Sequence, residues 1–219
     1  MTIFQKLSWM VQMGIRDLCG ETAHSVGKKE ESQLPTTCSL SVLDKALAKS
    51  KSALSATATH PLGGIGVVPA KVMCVLEAPS AIEDRTGQPL AGPEGDLLKK
   101  MLAAIGLDTA ANAYVGYLSP WRAPGSRVLT NVETQEGLDL LKKRIAVVRP
   151  QILVAFGMPV ARALLNLPLG QARAKHHTFM EIPIFTTFAP NFLLKNETYK
   201  KGAWADLKMI QTYLNEKGE

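Results

Sequence analysis

Cysteine is scarce in this chain of 219 residues. There are three, Cys19, Cys38 and Cys74, far apart and outside any CxxC pair. An odd, dispersed set argues against a disulfide framework. It also leaves a zinc or iron–sulfur site without its usual four paired ligands, so no metal and no cofactor is expected. Cys74 lies inside an apolar run and reads as a small core residue. His176 and His177 are adjacent, so their side chains point different ways and fit a loop or surface better than a ligand pair. No apolar run is long enough to span a bilayer. The first residues, MTIFQKLSWMVQMGIRDL, lack the basic start, unbroken apolar block and small-residue cleavage site of a secretory signal. A cytoplasmic location is therefore expected. No internal repeat is visible.

Acidic residues are outnumbered, with 19 Asp and Glu against 25 Lys and Arg, giving a net charge of +6. The excess suits a polyanionic partner, nucleic acid above all. Solvated lysines on a mildly basic housekeeping protein would look the same, and charge alone leaves the two open. A hydrophobic share of 46% with 20% charged residues describes a globular chain long enough for one full-sized core.

Residues 1–60 read as an arm plus a linker. Ile3, Leu7, Met10, Val11, Ile15 and Leu18 fall at helical spacing. A polar loop and a second helix follow, and then KSKSALSATATHPLGGIG, rich in Ser, Thr, Ala and Gly, reads as a flexible connection. From Lys71 the texture changes. KVMCVLEA, AYVGYLSP, QILVAFG and IPIFTTFAP are near-continuous apolar strands. Between and after them lie helical patterns, with Leu97, Leu98, Met101, Leu102 and Ile105 on one face of the first. The second carries Leu138, Leu141, Ile145 and Val148, and the closing helix carries Trp204, Leu207, Ile210 and Leu214. Four alternations of strand and helix predict an α/β fold, a four-stranded parallel sheet covered by helices on both faces, over residues 61–219.

Ligands of such folds bind beyond the carboxyl ends of the strands. The segments there are EAPSAIED, SPWRAPGSR, GMPVAR and APNFLLK. Turn formers are ordinary in such loops. Proline and basic residues recurring around one pole, however, fit a stiff rim for DNA or a phosphorylated ligand. The first segment is the strangest. A strand stops at Glu77-Ala78-Pro79, and Gly87, Gly92 and Gly95 follow, as if the backbone had to accept a close approach.

These blocks together resemble the uracil-DNA glycosylase superfamily. EAPSAIEDRTGQPLAGPEGDLL is similar to the first signature of its family four, roughly GEAPG-x-x-ED-x-TG-x-PF-x-G-x-x-G-x-LL. YVGYLSPWRAPGSR resembles the YITN-x-x-x-x-RPPGNR strand and loop, and TFAPNFLLK resembles the T-x-HPS-x-LLR block. The resemblance runs in order over about residues 70–215. It implies an α/β/α sandwich, DNA as partner, and hydrolysis of the N-glycosidic bond of a flipped base; the chain is expected to act as a monomer. It also implies site residues. Glu77, Ala78, Pro79, Leu90, Tyr117 and Ala189 would line the base pocket, and Glu83 would help position water. Arg122, Arg127, Asn191, Leu193 and Lys195 would meet DNA, with Leu193 as the wedge that fills the gap in the stack.

The departures from the pattern fall on the pocket. Leu76 and Ser80 replace glycines, and Leu90 replaces the Phe that stacks on the base. Tyr117 replaces the Asn that reads the base edge, and Ala189 and Asn191 replace the His and Ser of HPS. Trp121 stands where an iron–sulfur cysteine would be. Losing one preorganised electrostatic partner costs about 10²–10³ in rate. Three readings follow: a base-excision glycosylase with altered or weak activity, a DNA-binding relative without catalysis, or an interaction module on the same fold.

Overall fold

The computed structural model describes residues 40–49 and 52–217. The elements in chain order are α1 (Leu40–Lys49), β1 (Gly64–Gly66), β2 (Val72–Leu76), α2 (Ala81–Thr86), α3 (Gly92–Ala103) and β3 (Ala113–Tyr117). Then come α4 (Asn131–Val148), β4 (Ile152–Phe156), α5 (Met158–Leu165), α6 (Leu169–Arg173), β5 (His177–Phe179), β6 (Ile182–Thr187), α7 (Pro190–Lys195) and α8 (Lys200–Glu216). The class is the expected one, an α/β sheet between helices. The first helical stretch of the arm lies outside the described residues, as do Cys19 and Cys38.

The sheet has six strands, not four, in the order β1-β3-β2-β4-β6-β5. The four expected strands form its parallel centre, with Cys74 level with both Val115 and Val154. The two additional strands, β1 and β5, pair antiparallel at the edges. Each is three residues long, too short for any hydrophobic alternation to declare it, and short edges are the least prone to recruit foreign strands.

Alternation within the strands divides the core into two layers. Val72, Cys74, Val115, Val154 and Phe185 face Leu98 of α3 and Leu207, Ile210 and Leu214 of α8. Met73, Val75, Tyr114, Leu153 and Ile184 face Leu141 and Ile145 of α4, Val160 of α5 and Leu47 of α1. Burial pushes the Cys74 thiol up to about 12, so it is an inert core group. Trp204, expected inside, is 42% exposed and lies on the solvent face of α8 with Lys208 over its ring.

The linker expected to be flexible is held in place. Leu54 is buried. The backbone N–H groups of Thr59 and His60 donate to Asp84 Oδ1 at 2.8 and 3.2 Å, and His60 Nδ1 lies 2.7 Å from the Asp84 carbonyl. α1 packs against α4, where Arg144 Nη2 pairs with Asp44 at 2.7 Å and Nη1 donates to the Tyr114 hydroxyl at 2.9 Å. Among the described residues no helix is long and apolar enough to cross a membrane.

Candidate active site

The four parallel strands deliver their following loops to one pole, and a cleft of about 650 Å³ lies between them. Its wall takes Glu77, Ala78 and Pro79 after β2, and Arg122 and Arg127 after β3. Gly157 follows β4, and Ala189, Asn191 and Lys195 follow β6. Glu83 and Leu90 complete it from the α2–α3 segment. Ten of the twelve expected site residues thus line one cleft; the two that do not are Tyr117 and Leu193.

The α2–α3 segment is organised around Glu83. Ser80 caps α2, its hydroxyl accepting from Glu83 N, while Glu83 Oε2 accepts from Ser80 N at 2.7 Å. This reciprocal capping box satisfies two otherwise orphaned donors. Glu83 Oε1 accepts from Leu90 N at 2.7 Å and from the Tyr117 hydroxyl at 2.5 Å. A carboxylate has about four acceptor sites, and three of these are filled by the protein itself. Leu90 sits at φ +60°, a left-handed conformation that a side-chain-bearing residue keeps only when its surroundings impose it. Gly95 shows a close backbone approach: a Cβ there would lie 2.1 Å from the Leu90 carbonyl oxygen, while Gly87 and Gly92 hold left-handed φ of +68° and +82°. The close approach legible in the sequence is made by the chain itself.

Tyr117 does not stand on the cleft wall. It is buried at the end of β3, and its hydroxyl is spent on Glu83. Burial first, and then the neighbouring Glu83 charge, drives its proton affinity up, so it remains a neutral donor. Two other carboxyls do face the cleft. Burial raises the pKa of Glu77, against a smaller opposing hydrogen bond from the Leu129 backbone. Burial also raises that of Glu94, reinforced by Glu83 and opposed by the charge of Lys195.

The two loop arginines differ. Arg127 makes a two-pronged pair with Glu133, at 2.8 and 2.7 Å, and Glu133 also caps α4 through Thr130. The Arg127 guanidinium holds Glu133 down to about 2. Arg122 donates to Ser126 Oγ at 3.0 Å and lies 3.9 Å from Asp84 Oδ2, a looser arrangement.

Leu193 is a correction. It is 1% exposed and packs in the core beneath α7, so it cannot enter a base stack. One helical turn cannot present Phe192, Leu193 and Leu194 to the same side, and the sheet claims Leu193. Phe192 and Leu194 are the exposed neighbours, at 38% and 41%.

The family model of the uracil DNA glycosylase superfamily matches residues 64–208. The chain belongs to the uracil DNA glycosylase superfamily. It is 34% identical over 114 residues to a type-4 uracil-DNA glycosylase of Archaeoglobus fulgidus, covering 52% of this chain and 57% of that protein. A type-4 uracil-DNA glycosylase of Pyrobaculum aerophilum is 27% identical over 157 residues, 67% of this chain and 80% of the relative. A DNA polymerase of Bacillus phage SP01 is 27% identical over 158 residues, 72% of this chain but 17% of the polymerase.

Several residues of this superfamily member escaped sequence reading. Ser80-x-x-Glu83 and Thr130-x-x-Glu133 are capping-box spacings and could have shown that both glutamates close helix starts. Asp206 is buried in α8, where it accepts from Thr187 Oγ1 at 2.7 Å and from Arg173 at 2.7 and 3.0 Å. Nothing local announces that partner set, because Asp206 and Arg173 lie 33 positions apart.

Proposed function

We propose that this protein acts on DNA and hydrolyses the N-glycosidic bond of a base turned out of the strand into the cleft. The observation that carries the reading is the placing of the desolvated Glu77 carboxyl in a cleft whose rim holds Arg122 and Lys195. Cations at the rim meet the backbone phosphates. In the step itself a water oxygen adds to C1′ as the C1′–N bond breaks. The electron pair leaves with the base, and the water proton passes to the Glu77 carboxylate. Raised proton affinity makes a carboxylate a better acceptor near neutral pH. Glu83 acts as the anchor of the wall, since its oxygens are already engaged.

The choice of base follows from shape more than from hydrogen bonding. Ala78, Pro79, Leu90 and Ala189 give the wall no side-chain polar group, and Tyr117 turns away from it. Tight selection of uracil is therefore not expected. We infer that residues 1–60 form an arm and linker and 61–219 the catalytic domain, acting as a monomer in the cytoplasm. The test is base release from single- and double-stranded DNA carrying uracil, hypoxanthine or xanthine. Release of any of these supports the reading. DNA binding without release from any substrate would replace it with a DNA-binding relative that has lost catalysis.

A further inference from the structure

The rim of the cleft after β6 carries an ordered aromatic cluster that the proposed hydrolysis does not use. Phe188 and Phe192 stack with centroids 5.6 Å apart and planes 13° from parallel. The Tyr199 ring meets both edge-on, at 5.2 and 5.0 Å. The Arg173 guanidinium lies 3.9 Å from the centroid of Phe188 and is itself gripped by the buried Asp206. The side chains at the outer end of this series are open: Phe192 is 38% and Tyr199 47% exposed, while Phe188 is buried. Contiguous exposed apolar surface at the rim of a cleft is the kind of patch that marks a binding site. Phe188 and Phe192 also line the cleft, and Lys195 stands one turn beyond Phe192.

Resting on the reading of the cleft as a base pocket, we propose that Phe192, backed by Phe188 and Tyr199, is a stacking platform for the nucleobase next to the one in the cleft. Any base offers a flat face to a ring, so the platform serves single-stranded DNA irrespective of sequence, with Lys195 placed for the adjoining phosphate. Preorganisation by Tyr199 and the Asp206–Arg173–Phe188 series means that little side-chain freedom is lost on stacking.

The test compares the full-length protein with Phe192→Ala and Phe192→Trp by fluorescence anisotropy on two labelled single strands. One carries a normal sequence, and the other is an abasic deoxyribose-phosphate strand of equal length. Phe192→Ala should weaken binding to the normal strand about 5- to 100-fold without changing the salt slope. It should leave binding to the abasic strand unchanged, and Phe192→Trp should bind the normal strand as the unaltered protein does. Equal affinity of Phe192→Ala and the unaltered protein for the normal strand overturns the platform and leaves the cleft reading intact. An equal loss on both strands also overturns it, because that contact would be to backbone. No binding of either strand by the unaltered protein, even at low salt, sinks the cleft reading and the platform together.

Discussion

The loop after β2 and the loop after β6 face each other across the cleft and are built on opposite plans. The first turns inward. Glu83 takes donors from Ser80, Leu90 and Tyr117, Asp84 takes donors from Thr59 and His60, and Gly95 lies against the Leu90 backbone. The second turns outward. Pro190 and Leu193 anchor it to the core, and Phe192, Leu194 and Lys195 are left exposed. A pocket wall has to keep its shape when a base enters, and buried charge-assisted hydrogen bonds do this well. A DNA-facing rim needs cations and flat apolar faces that are free to be used. The resemblance gives Glu83 a part in positioning water; in the structure its oxygens accept from Ser80, Leu90 and Tyr117 within the wall.

The sharpest way to break this contrast is to exchange the roles of Glu77 and Glu83. Glu77→Gln should lower single-turnover base release by about 10²–10⁴ with little change in DNA affinity or melting temperature. Glu83→Gln should chiefly lower stability, since it alters the acceptor of three donors. A Glu83→Gln protein that melts normally but releases no base would invert the assignment. The pH profile sharpens the same point. Burial raises the Glu77 pKa, and the ionised form is the one that accepts a proton. Release should therefore rise with pH through a midpoint above the ordinary carboxylate range. A midpoint at or below that range would remove Glu77 from the role.

Tyr117→Phe comes next in size. It removes one donor from a buried carboxylate, at a cost of about 1–3 kcal/mol in urea unfolding, and leaves Leu90 less firmly held. A smaller effect is expected at the rim. Arg122→Ala should weaken DNA binding and reduce its salt slope by about 1, whereas Arg127→Ala should act mainly on folding. If both arginines shift the salt slope equally, the Arg127–Glu133 pair opens when DNA binds, and the division between wall and rim is less strict. The smallest effect lies at low pH. Glu133 has a folded pKa depressed to about 2. The stability it contributes is present above its ordinary value and is lost as pH falls from there toward about 2. Arg127→Ala should flatten that part of the stability curve, read by thermal melts in steps of pH.

Periodicity carried much of the fold without help. Four apolar strands, three long helices and their order follow from residues such as Val72–Leu76 and Ile152–Phe156, where burial on both faces demands unbroken apolar runs. The multi-block resemblance also located the cleft, because loops after parallel strands must gather at one pole. The assignment of individual roles was less legible. Arg122 and Arg127 look alike in the sequence, and only Glu133, folded back within bonding distance, separates them. Leu193 and Phe192 are one position apart, and which of them enters the core depends on the phase of a six-residue helix set by the sheet beneath it.

By itself, then, the sequence determined the layers, the parallel centre of the sheet, the pole at which the site would lie and the family to which the chain belongs. All of these rest on local pattern or on the fixed chirality and connectivity of α/β folds. Tertiary structure alone decided that Glu83 accepts from Leu90 and Tyr117, that Tyr117 faces it and not the cleft, that the Thr59–His60 linker is tied to Asp84, and that Phe192 is exposed where Leu193 is buried. Each of those outcomes depends on a partner brought from 7 to 34 positions away, or on competition for one buried place, and no local pattern records which partner wins.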